Sequence, residues 1–152
     1  MSDISQRLRA AVVLRAINRC EYCGLSQIGQ EAAFHVDHVV PRAAGGATVA
    51  DNLAFACVSC SLRKGAKQTA IDPELLTEVP IFNPRTQTWD DHFRWEDVRM
   101  APLTSTGRAT VNELAMNRPL ILAIRREEAA QGRHPPQSSD TRSDPGPSTP
   151  DS

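Results

Sequence analysis

The chain has 152 residues, 40% of them hydrophobic, with 17 Lys+Arg against 18 Asp+Glu. That is the length of one ordinary domain, and so even a charge balance selects neither nucleic acid nor membrane by itself. No apolar run approaches the roughly 18 residues of a membrane span, and Arg7, Arg9 and Arg15 break the N-terminal apolar stretch that a signal peptide requires. A cytoplasmic protein is therefore expected, in a reducing compartment that disfavours disulfides. Divided along the chain, the charge becomes informative. Residues 1–70 carry eight Lys+Arg against five Asp+Glu and all four cysteines, whereas 71–130 carry seven against ten.

In chain order, residues 5–18 read as a helix, capped by Asp3 or Ser5, with Ile4, Leu8, Ala11 and Val12 at helical spacing. It runs into a tight turn at Cys20-Glu21-Tyr22-Cys23-Gly24. Residues 34–40 alternate apolar and polar, which predicts a short strand with His35 and Asp37 on one face. A loop with Gly45-Gly46 follows to Asn52, then a second strand over 53–56, then a helix from Cys57 to Lys67 with Gly65 as its stop. Further on, Asp72-Pro73-Glu74-Leu75-Leu76 suggests a capped helical turn, and 82–85 a turn. Residues 107–130 suggest a helix pair whose second member starts near Pro119. From Gln131 to Ser152 no hydrophobic residue occurs while five of the eleven prolines do, so 131–152 is expected to be a disordered tail behind a folded unit of 1–130.

Cys20-x-x-Cys23 and Cys57-x-x-Cys60 have 33 residues between them. Tetrahedral zinc takes four soft ligands, and each CxxC turn presents two of them from one stretch of backbone. A redox CxxC needs only one such motif in a thioredoxin-like setting, and four isolated core thiols have no reason to pair at this spacing. Structural zinc is the favoured reading. The gap between the knuckles exceeds that of a plain zinc ribbon, and the inserted residues include Asp37 and His38.

The strings CEYCG, HVDHVVPRAAGG and DNLAFACVSCSLRKG resemble the zinc-knuckled branch of the HNH endonucleases. IFNPRTQTWDDHFRW and LTSTGRATVNELAMNRP resemble a C-terminal extension seen in many bacterial members, so that the likeness covers most of residues 8–126. The resemblance implies an α+β fold: a small ββα-metal finger over 20–67 with a zinc knuckle of four cysteines, flanking helices, and an extension over 71–130.

It also implies metal-dependent hydrolysis of DNA. His38 is then the general base, since a neutral imidazole accepts a proton near pH 7. Asp37 becomes a ligand of one catalytic divalent cation, Mg²⁺ or Mn²⁺, and Asn52 orients the His38 ring through a side-chain contact. Ser61 departs from the family pattern, standing where Asn or His usually supplies a second ligand to that ion; a hydroxyl is the weaker donor. His35 either contacts metal or phosphate or is structural. Arg42, Arg63, Lys64 and Lys67 flank the centre and suit phosphate contact, Lys67 equally suiting a solvated helix face. The alternative is a zinc-stabilised DNA-binding module that has lost cleavage through Ser61.

Overall fold

The structure, a computed structural model, describes residues 4–137. Helix α1 (Gln6–Arg15) starts where Ser5 accepts a hydrogen bond from the Leu8 amide at 3.1 Å, and it buries Val12 against the core. It ends three residues before the expected stop. Ile17 and Asn18 take left-handed backbone (φ 56° and 55°), turning the chain into the first cysteine knuckle. Strands β1 (His35–His38) and β2 (Leu53–Ala56) form an antiparallel pair with His35 opposite Ala56 and Asp37 opposite Ala54. All of β2 is buried, as a continuous apolar run predicts, whereas β1 is half-buried throughout. Helix α2 (Val58–Lys64) follows; the Cys57 sulfur caps its start and Gly65, at φ 53°, ends it.

Beyond the finger lie two further hairpins, β3 (Thr69–Ile71) with β4 (Glu78–Pro80), and β5 (Phe93–Glu96) with β6 (Arg99–Pro102). The expected helical turn at 72–76 is the loop of the first hairpin, in which Asp72 accepts from the Glu74 amide and forks to Arg108. Three-residue strands show too little alternation to betray themselves in sequence. Short helix α3 (Trp89–His92) leads into β5. The expected helix pair is present as α4 (Ser105–Glu113) and α5 (Pro119–Ala130), with Pro119 in the first turn of α5.

Finger and extension share one core. Tyr22, Phe34, Leu53 and Phe55 meet Phe82, Phe93, Met100, Leu114 and Met116 in a single buried cluster. Arg85 ties the two parts by polar contacts, donating to the Leu53 carbonyl at 3.2 Å and pairing with Glu21. Burial pushes the Glu21 carboxyl above the ordinary carboxylate range, against the opposing pull of the Phe55 amide and Arg85. Among the described residues, no helix is long and apolar enough to cross a membrane.

The expected tail begins too early at 131. Arg133 forks onto Glu128 at 2.9 and 3.0 Å, Arg19 donates to the Arg133 carbonyl at 2.8 Å, and the His134 ring stands edge-on to Trp95 at 4.6 Å. These contacts are ionic and aromatic, so the lack of aliphatic residues in this stretch did not foretell them. The rest of the expected tail, 138–152, lies outside the described residues.

Candidate metal centre and nuclease site

The four cysteines are brought together at the junction of the first knuckle and α2. Their sulfur atoms all lie within 4.8 Å of one another and every one of the four residues is buried. Cys23 Sγ and Cys57 Sγ are 3.7 Å apart. That is far beyond the roughly 2.05 Å of a disulfide and close to the edge of a tetrahedron with metal–sulfur bonds of about 2.3 Å. In each knuckle the second cysteine's amide donates to the first cysteine's sulfur at 3.4 Å. Contacts with Cys20, Cys57 and Cys60 hold the Cys23 thiol well below the ordinary range, while Cys20 and Cys23 push Cys57 and Cys60 up, Cys60 opposing this at Cys57. In their thiolate form, four sulfurs at this spacing need a cation among them. The donor set and its dimensions fit a metal ion such as zinc.

Around β1, three contacts define a second site. His35 Nδ1 meets Ser61 Oγ at 2.7 Å, which links β1 to α2. Asp37 lies two residues along on the same strand face, and it interacts electrostatically with Lys64 of α2. Cross-strand from this pair are Ala56 and Ala54, whose small side chains leave the face to His35 and Asp37. His38, the last residue of β1, turns its Nε2 to Thr48 Oγ1 at 2.8 Å.

Asn52 does not contact the His38 ring as expected. Its amide nitrogen donates to the Val40 and Ala47 carbonyls at 3.0 and 2.9 Å, and its oxygen accepts from the Val40 amide at 2.9 Å. An amide side chain satisfies three backbone groups here, so it pins the loop while Thr48 meets the ring. Gly46 is needed in that loop because a Cβ there would overlap the Val40 carbonyl.

Of the expected phosphate-contacting residues, Arg42, Arg63 and Lys67 are exposed, Lys67 with Glu113 at 3.5 Å. Lys64 is not on that surface. It is 5% exposed, donates to the Val39 carbonyl at 3.2 Å, and burial pulls its ammonium below the ordinary range while Asp37 raises it. An i, i+4 register from Cys60 turns it inward. His92 is held by Thr104 at 2.6 Å and packs on Phe82, while the Trp89 indole donates to the Tyr22 carbonyl at 3.0 Å, so this aromatic stretch packs the extension onto the first knuckle.

Three buried or loop residues escaped the sequence reading. Thr48 sits in an irregular loop with no periodic signal. The Tyr22 hydroxyl is buried with no hydrogen-bond partner among the described residues. Arg125 did carry a signal, since Ile121, Arg125 and Glu128 share the buried face of α5.

The arrangement is a ββα finger with four clustered cysteines and an Asp-His pair on its first strand. Residues 20–67 match the family model described as HNH endonuclease, and the chain carries that domain over this stretch. No curated protein and no solved structure matches the chain significantly.

Proposed function

We propose that this protein is a divalent-metal-dependent DNA endonuclease with one structural zinc ion held by Cys20, Cys23, Cys57 and Cys60. The observation that supports it most is the convergence of β1, the 39–52 loop and α2, through the His38–Thr48 and His35–Ser61 contacts. When bound, a divalent cation neutralises the scissile phosphate and stabilises the leaving 3′ oxygen. Asp37 and His35, on one strand face, are the residues to hold it; carboxylate and imidazole together suit Mn²⁺ and, less strongly, Mg²⁺.

His38 takes the proton of the attacking water. With Nε2 engaged by Thr48, Nδ1 is the nitrogen left for that transfer, so Thr48 orients the ring. Ser61 holds the His35 ring in place rather than acting as a ligand itself. Lys64 balances Asp37 from below and braces the end of β1. Arg42, Arg63 and Lys67 contact phosphates and position the duplex without reading sequence.

The test is nicking of supercoiled plasmid by purified protein, with Mn²⁺ or Mg²⁺, with EDTA, and with His38→Ala. Expected are metal-dependent nicking, its loss in EDTA, and an inactive His38→Ala protein that still binds plasmid and keeps its zinc. Comparable nicking by His38→Ala sinks the assignment of the base.

A second reading is favoured by one contact, the engagement of the Ser61 hydroxyl with His35 where a direct ligand is expected. It makes the chain a zinc-stabilised DNA-binding module. Plasmid binding by gel shift, with no nicking across a divalent-metal titration, is its signature.

A further inference from the structure

Arg125 carries a charge at a core position. Ile121, Arg125 and Glu128 form the buried face of α5, and Arg125 is 2% exposed. Glu128 is committed to Arg133 through both carboxylate oxygens. Arg125 Nη1 donates to the Val98 carbonyl at 2.8 Å and to Asn117 Oδ1 at 3.4 Å. Nη2 is buried and has no hydrogen-bond partner among the described residues. The guanidinium carbon lies 5.1 Å from the centroid of the Trp95 ring, and the residue shares a small cavity with Cys23.

A buried guanidinium with an idle N–H pair is strongly unfavourable unless negative charge stands near it. Deprotonated sulfur is the source of charge that the geometry offers, since Cys23 lines the same cavity as the guanidinium. A tetrahedral zinc site with four thiolates holds roughly two negative charges in excess. The same knuckle is tied from outside as well, since Arg19 donates to the Gly24 and Arg133 carbonyls at 2.8 Å.

We propose that Arg125 is the counter-cation of the zinc tetrathiolate, so that metal loading of the finger and docking of α5 are one coupled event. The proposal rests on the zinc reading above but not on nuclease activity. Coupling is reciprocal: a docked α5 tightens zinc by the same factor by which zinc tightens α5.

The test is zinc affinity of the full chain, measured by competition with a colorimetric chelator, for wild type, Arg125→Lys and Arg125→Gln. Lysine keeps the charge; glutamine removes it while keeping a polar end. Glutamine is expected to weaken zinc binding by about 10–100-fold, the usual range for a lost outer-shell partner, and lysine by far less. Equal affinities in all three proteins overturn the proposal, as does equal weakening by both variants. Should Arg125→Gln fail to fold, hydrogen exchange of the wild type decides. Withdrawal of zinc is expected to accelerate exchange of the α5 amides, and unchanged α5 exchange overturns the coupling. A wild-type chain that takes up no zinc removes the metal reading along with this one.

Discussion

Two hydroxyls do the fine positioning at the proposed nuclease site. Thr48 meets His38 at 2.8 Å and Ser61 meets His35 at 2.7 Å, each from an element other than the strand that carries the imidazole. A ring held by one nitrogen has the direction of its other nitrogen defined. Thr48→Val keeps the shape and deletes the oxygen, so it should lower the nicking rate roughly 10–100-fold while leaving plasmid binding and zinc content alone. A rate within twofold of wild type means that Thr48 does not orient the ring for catalysis. Ser61→Ala tests the neighbouring ring differently. It should raise the Mn²⁺ concentration for half-maximal nicking by about tenfold, while Ser61→Thr, which retains a hydroxyl, should move it little. Identical midpoints for the three proteins would remove His35 from the ion.

Among the elements, the 39–52 loop depends on one side chain. Asn52 makes three bonds to the backbone of Val40 and Ala47, each worth about 1 kcal/mol net, so Asn52→Ala should cost about 2–3 kcal/mol in denaturant unfolding. A loss below about 0.5 kcal/mol would mean that water replaces the amide. The finger was legible in sequence because its signals are local: paired CxxC turns, an apolar run for β2, a glycine pair where the loop meets its own backbone. The contact of Asn52 with the loop rather than the ring was not, because adjacency in a motif says nothing about which polar group a side chain reaches. Nor were β3 and β4 legible, since their stability is tertiary. Asp72, in the loop of that hairpin, forks onto Arg108 of α4, and this bond holds its carboxyl down at about 2. A carboxyl depressed in the folded state stabilises above its unfolded value and stops doing so as pH falls toward the folded one. The melting temperature of wild type should therefore fall between pH 3.8 and about 2 by more than that of Asp72→Asn. Parallel curves for the two proteins would deny the Asp72–Arg108 bond any share in that acid loss.

At the scale of the whole molecule, the extension closes over the first knuckle instead of hanging beside the finger. Trp89 donates to the Tyr22 carbonyl, Trp95 lies between Arg125 and His134, and Arg19 reaches both the Gly24 and Arg133 carbonyls. Residues 131–137 finish this cover with charge and ring contacts, which is why a criterion built on apolar residues places the domain end too early. Two truncations, after Ala130 and after Gln137, isolate the contribution of this docked stretch. Ending the chain after Ala130 removes Arg133 and His134. That strands the nearly buried Glu128 carboxylate, frees one end of the Arg19 bridge, and uncovers an edge of Trp95. A buried charge deprived of its partner is among the more damaging single losses, though Arg133 is itself partly solvated and the effect is screened accordingly. The melting temperature should drop by roughly 5–10 °C. Ending the chain after Gln137 keeps every one of these contacts, and its melting temperature should stay within about 2 °C of the full chain. Zinc content separates the outcomes further. The shorter protein should release zinc to a chelator faster than the longer one, because the cover of the knuckle is what it lacks. Equal melting temperatures and equal zinc release for the two truncations would place the functional end of the domain at Ala130 after all.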